Sequence, residues 1–439
     1  MSLPRYPKYK DSGVEWLGDV PEHWELLPLK RLAEFINGDA FKPSEWVEFG
    51  IPIIRIQNLN GSEEFNYYEG QVEPQYLVHD GDLLFGWSGN RGTSFGPFLW
   101  RRDEVCALNQ HIFRVVPNSI DKRTLFWTLK AVTAHVEDQA HGIIGMVHVT
   151  KGDLGAIKVP TPPTQEQSLI AEFLEHETAK IDTLVEEQRR LIELLKEKRQ
   201  AVISHAVTKG LNPDAPMKDS GIEWLGEVPS NWNVSMLKHS AKRITDGAHV
   251  SPETENGEFF FVSTKDITDS AIDFSEAILT SAASYAALVK SGCKPQKGDV
   301  LFSKDGTIGK TIVIREDLDF VVASSLIIIT PDESEIESNY LNYLCQSAFL
   351  KGQVEAFVKG AGLPRLSLQN LLKVLILSPN LNEQLQITAF LDREIARFDA
   401  LLAEVTHAID LLQERRSALI STAVTGKIDV RGLPKEETA

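Results

Sequence analysis

The sequence predicts an α+β chain: two mixed α/β modules with pseudo-twofold symmetry, separated by two long antiparallel coiled-coil helices. Three observations predict it. A set of motifs occurs twice, strand-and-turn patterns fill each copy between the motifs, and residues 164–207 and 382–424 contain neither Gly nor Pro.

The duplication is the strongest of these. Residues 10–21, from Lys10 to Pro21, recur as Lys218 to Pro229 at an offset of 208, and Trp24 returns as Trp232. Further on the offset becomes 217. Gly81-Asp82-Leu83-Leu84-Phe85 returns as Gly298-Asp299-Val300-Leu301-Phe302, Gly89 and Gly92 as Gly306 and Gly309, and Glu166-Gln167 as Glu383-Gln384. Between these landmarks the copies diverge, so the frame is shared and the filling differs.

Each copy opens with a mixed segment, 1–163 or 211–380. Short strands bounded by Gly, Asn, Asp or Pro are expected at 51–59, 83–85 and 112–116, with counterparts at 259–267, 300–302 and 326–329. Helices are expected at 124–136 and 336–349. Each copy then closes with a long helix, 164–210 or 381–427, leaving 428–439 as a tail. Thr164 and Asn382 are the expected N-caps, and Gly210 and Gly426 end the helices. Leu174, Ile181, Gln188, Leu195 and Val202 fall on one seven-residue stripe, with Leu184 and Leu191 adjoining. Leu391, Phe398, Val405, Leu412 and Leu419 form the second stripe, with Leu401 and Ala408 adjoining. The economical partner for each stripe is the other, in antiparallel order; the competing arrangement is a coiled coil between two copies of the chain.

Composition excludes several classes. No apolar run is long enough to span a membrane, and the N-terminus lacks a signal-peptide core. Cys106, Cys293 and Cys345 are too few and too scattered for a disulfide framework or a CxxC metal site, which points to the cytoplasm and to no metal. The segment Gly306 to Thr311 has a lysine, Lys304, where a phosphate loop needs its first glycine. Asn-Pro-Pro-aromatic, Glu-x-Lys, Asp-x-Lys and His-Glu-x-x-His motifs are absent, so no catalytic residue is expected. The net charge of −17 is awkward for a nucleic-acid reader. Either acidic helices segregate the charge away from basic loops, or partner subunits make much of the phosphate contact.

A helix of this length spans roughly 65 Å, against roughly 34 Å for one turn of duplex. Two dissimilar modules on such a rod suit an asymmetric DNA target in two parts with an unread spacer. The chain also resembles, over nearly its whole length, the specificity subunits of type I restriction–modification systems. The resemblance rests on Asp11 to Gly18 with Pro21 and Trp24, the paired Gly-Asp turns, the run Pro160 to Gln167, and the helix ends Ala206 to Gly210 and Ala423 to Lys427. It implies two target-recognition domains, one per half-site, and conserved spacer helices. It further implies two modification subunits that use S-adenosylmethionine, restriction subunits that use ATP and Mg, and a role in phage defence. Those cofactors would sit on the partners. Leu377 to Leu381 departs from Val159 to Pro163 at the second junction. The rival readings are a non-catalytic coiled-coil scaffold presenting two protein-interaction modules, and an enzyme with an unfamiliar site.

The loop after each Gly-Asp turn is the best place for DNA contacts: Ser88, Asn90 and Arg91 in the first copy, Lys304, Thr307 and Lys310 in the second. Glycines admit phosphate to the backbone, and Arg suits guanine in the major groove; the plainer reading is a β-turn with a solvated cation. Gln57 and Asn58, with Lys265 as counterpart, follow a strand and carry groups suited to base edges. His148 and Arg365 occupy corresponding late positions. Trp16, Trp24, Trp224 and Trp232 repeat where the candidate readers differ, which favours a shared core role over stacking on bases.

Overall fold

The computed structural model describes residues 3–90, 92–139, 146–268, 271–358 and 364–433. The chain divides into two compact units: Met1–Gln188 with His407–Ala439, and Arg189–Thr406. Each long helix, Thr164–Lys209 and Leu381–Val424, therefore contributes one half to each unit.

In the first unit, an antiparallel sheet runs in the order Gly96–Leu99, Leu83–Gly86, Ile112–Pro117, Ala33–Asn37. Alternate residues Leu83, Phe85, Phe113 and Val115 point into a core closed by Leu125, Leu129 and Val132 of the helix Lys122–Gln139. A second sheet, in the order Asn66–Tyr68, Ile51–Ile54, Cys106–Leu108, Leu77–Val78, contains one parallel pairing. The second unit repeats this plan. Ala241–Asp246, Leu326–Pro331, Val300–Ser303 and Thr311–Val313 form its antiparallel sheet, and Phe259–Val262 pairs in parallel with Phe320–Val322.

Several expectations need correction. The strand expected at 51–59 ends at Ile54, and Ile56–Leu59 is a helical turn in which Asn58 Oδ1 accepts from Arg55 N at 2.9 Å. The counterpart strand ends at Val262, where Asp266 Oδ2 accepts from Ser263 N at 2.7 Å. A short polar side chain that binds backbone three residues back competes with strand geometry. The helix expected at 336–349 breaks at Ser347, whose hydroxyl caps the helix Ala348–Phe357. Asn380, not Asn382, caps the second long helix, its Oδ1 accepting from Glu383 N at 3.0 Å.

The helix stripe also shifts. Leu184, Leu191 and Leu401 are exposed, whereas Val185 and Ile395 are buried and Ile192 and Leu402 half-buried. A heptad's alternating steps of three and four admit either neighbour; burial places the residue that adjoins Ile181 or Phe398 four positions on, not three. Leu174, Ile181, Leu391, Phe398 and Val405 are buried, and Leu195, Val202, Leu412 and Leu419 are half-buried.

The tail is partly core: Ile428 and Val430 are buried in the first unit beside Tyr6, Trp24 and Leu174. The chain turns at Gly426 with φ of 73°, and a Cβ there would meet Pro21 Cδ at 2.4 Å. Only glycine combines that φ with so close an approach. Tyr9 Oη donates to the Gly426 carbonyl at 3.0 Å, and Asp429 N to the Pro4 carbonyl at 2.8 Å.

Candidate nucleic-acid interface

The repeated motifs build the same clamp in each unit. In the first, buried Trp24 donates its indole N–H to Glu166 Oε2 at 2.9 Å, and Tyr6 Oη donates to the same oxygen at 3.1 Å. His23 Nε2 lies 2.7 Å from Glu166 Oε1. Burial, reinforced by the Glu166 carboxylate, pushes the Tyr6 hydroxyl far above its ordinary range. In the second unit, Trp232 and Asn231 donate to Glu383 at 2.9 and 3.1 Å. The neighbouring glutamines act alike: Gln167 Oε1 accepts from Asp121 N at 2.9 Å, and Gln384 Oε1 from Glu337 N at 2.8 Å. Trp24 and Trp232 thus have the core role expected of them. Trp16 is half-buried and stacks on His135 at 4.7 Å, and Trp224 is 60% exposed beside Phe349. The core assignment therefore fails for Trp224, which sits on the surface turn of its motif.

In the first unit, Ser88–Asn90 pairs antiparallel with Met146–His148, bringing Ser88 opposite His148. Val149 N donates to the Trp87 carbonyl at 3.0 Å. The Trp87 ring lies 4.8 Å from His148 and 5.6 Å from His111, and its N–H donates to the Gln110 carbonyl at 3.0 Å. Asn90, His111 and His148 are exposed along this ribbon. Sequence reasoning missed His111 because nothing in its spacing marks it. Arg91 lies outside the described residues.

In the second unit the same bridge joins Asp305 to Arg365, and Leu366 N donates to the Lys304 carbonyl at 2.9 Å. Arg365 Nε lies 3.0 Å from Asp305 Oδ1 and remains largely exposed. Lys310 Nζ donates to the Ile267 carbonyl at 2.8 Å, and Thr307 is exposed at the loop tip. Lys265 is exposed near Asp266 at 4.0 Å. The structure thus joins Ser88, Asn90 and His148 in one ribbon, and Lys304, Thr307, Lys310 and Arg365 around one loop. Gln57 is exposed on its own helical turn.

Two candidates face inward. Lys304 is buried and pairs with Asp246 Oδ1 at 2.6 Å. Asn58 is buried, and its Nδ2 donates to the Ser62 and Glu64 carbonyls at 3.0 and 2.9 Å. Both side chains hold their loops together instead of reaching out. A buried ammonium needs a paired anion, and a buried amide needs its donors satisfied, so position alone overstated these residues.

The acidic excess is not confined to the long helices. Asp plus Glu outnumber Lys plus Arg by 21 to 16 in residues 3–163 and by 22 to 15 in residues 211–380. Both modules are acidic.

The Type I restriction modification DNA specificity domain model matches residues 21–194 and 229–410. The chain belongs to that family. It is 23% identical to the EcoBI type I restriction enzyme specificity subunit of Escherichia coli, over 95% of this chain and 89% of that one. Against the MjaVIII specificity subunit of Methanocaldococcus jannaschii it is 24% identical, over 94% and 95%. A solved chain described under "complex assembly" and "conformational transition of the type I R-M system" superposes with a TM-score of 0.66 at 16% identity, covering 93% of this chain and 99% of that chain. That likeness establishes the fold. No helix among the described residues is long and apolar enough to cross a membrane.

Proposed function

We propose that this chain is the DNA-specificity subunit of a type I restriction–modification complex, reading an asymmetric two-part target with one module for each part. One observation carries the reading: the same strand bridge presents Ser88 and His148 in the first unit and Asp305 and Arg365 in the second. A shared frame that exposes His148 in one copy and Arg365 in the other is what two half-sites of different sequence require.

We read the long helices as an antiparallel pair related by pseudo-twofold symmetry. Within the first unit, Ile170 and Leu174 share a core with Ile420 and Val424, and Asp182 meets Arg416 Nε at 2.8 Å. Partner numbers fall as helix numbers rise, as antiparallel order demands. Within the second, Arg199 lies 3.7 Å from Asp399, and Ile203 shares a core with Ile395. The helices would set the spacer and dock modification subunits. In this reading the chain itself catalyses nothing, works in the cytoplasm, and leaves S-adenosylmethionine, ATP and Mg to its partners.

Because both modules are acidic, partners supply much of the phosphate contact. The chain alone is expected to bind duplex DNA weakly, and added modification subunit to tighten binding severalfold, as read by fluorescence anisotropy. Tight, salt-insensitive binding by the chain alone would contradict this.

A further inference from the structure

The second unit contains a cleft of about 390 Å³ lined by Lys196, Arg199, Lys310 and Lys351, with Gln200 and Gln346 among its polar walls. No Asp or Glu is among the described residues that line it. That is unexpected in a chain of net charge −17. The four cations come from three elements: the first long helix, the loop after Val300–Ser303, and the helix Ala348–Phe357. Convergent like charges raise the energy of the folded chain unless an anion sits among them, and a cleft concentrates their field.

The arrangement is held in place. Lys351 Nζ donates to Gln200 Oε1 at 2.7 Å, Gln200 Nε2 donates to the Gln346 carbonyl at 2.8 Å, and Lys310 Nζ donates to the Ile267 carbonyl at 2.8 Å. Lys196 lies 2.9 Å from Glu193, and Arg199 lies 3.7 Å from Asp399. The first of these is an exposed pair within one helix, weak enough to yield to a phosphate. Gly306 and Gly309 turn the loop with φ of 71° and 88°, and a Cβ at either would meet open space. The backbone there is bare on its outer side, as close approach of a phosphate requires.

The cleft is not part of the shared frame. At the offset of 217, Lys196, Lys310 and Lys351 correspond to Gln413, Thr93 and Ala134; only Arg199 returns, as Arg416. We infer that this cleft takes backbone phosphates of duplex DNA beside the second module's recognition loop, with Lys196 on the spacer helix as a direct phosphate contact. The inference rests on the DNA-specificity reading and adds that one module alone carries this electrostatic anchor.

The test uses the full chain assembled with its modification subunits, with a target duplex and a non-target duplex, titrated from low to high salt. For the double variant Lys196→Gln/Lys351→Gln, the slope of log K against log salt is expected to flatten by between about 1 and 2, since each phosphate contact contributes about 0.9. Both duplexes should weaken by similar factors, and the methylated sequence should not change. Lys196→Arg/Lys351→Arg should restore the slope, which separates charge from misfolding. Lys290→Gln, exposed and outside the cleft, should leave it unchanged. An unchanged slope in the Gln variant, or loss of subunit assembly in place of DNA binding, overturns the inference. If the unmodified complex fails to prefer its target duplex, the specificity reading itself falls, whatever the variants do.

Discussion

Trp24 and Glu166 are locked together in the first unit by a 2.9 Å bond from the indole N–H to the carboxylate, and both residues are buried. The bond joins the repeated N-terminal motif to the first turn of the long helix. It is therefore the point at which each module's orientation on its helix is fixed, and Trp232 and Glu383 repeat it at 2.9 Å.

The two copies of this clamp differ in depth. Glu166 takes Tyr6, His23 and Trp24 and has Arg431 at 3.7 Å, whereas Glu383 takes Asn231 and Trp232 and is only half-buried. Glu166→Ala should cost about 3–5 kcal/mol, because buried donors lose a charged acceptor. Glu383→Ala should cost less. Urea unfolding of the two variants decides it; equal losses would contradict the account.

The revised helix seam makes a paired prediction. Ile395→Ala should destabilise by about 2–5 kcal/mol, and the exposed Leu401→Ala by no more than about 0.5 kcal/mol. Thermal unfolding of both variants measures the difference. Comparable losses would restore the stripe as first drawn.

Truncation after Val424 should destabilise the first unit. It removes the buried side chains of Ile428 and Val430 and the Arg431 pair with Asp429 at 2.7 Å. Two such side chains account for about 3–6 kcal/mol. Limited proteolysis should then cut residues 1–163 faster, while 211–380 keeps its resistance.

The thiols predict an alkaline limit. Burial pushes Cys345 up from 9.0 to about 12, and burial followed by the Glu104 charge pushes Cys106 to about 11. The folded chain keeps protons that the unfolded chain releases above pH 9, so stability falls as pH rises from about 9 toward 12 and is unaffected by these groups below 9. At pH 8, Ellman's reagent should react with Cys106 and Cys345 only after unfolding. Rapid reaction of both in the native chain would show that they are accessible.

Much of the frame was legible in the sequence because the frame is duplicated. The Gly-Asp turns, the Glu-Gln pairs and the two long helices come from repeated residues whose spacing carries meaning. The correspondence of His148 with Arg365 follows from the offset alone, whereas their bridges to Ser88 and Asp305 appear only in the folded chain. What could not be read was side-chain direction. Lys304 and Trp87 occupy the same position, yet one pairs with Asp246 in the interior and the other packs on His148. Asp246 is distant in sequence and pairs with Lys304 only once the sheet forms. Leu184 and Val185 differ by one residue, and a heptad pattern admits either, so only the folded chain distinguishes the buried Val185 from the exposed Leu184.

The central claim is that two different modules on one frame each read one part of the target. Exchanging residues 1–163 for those of a relative with another specificity, then sequencing the methylome of a host carrying the complete system, tests it directly. The account predicts that one half of the methylated sequence changes and the other half stays. Change in both halves, or in neither, would contradict it.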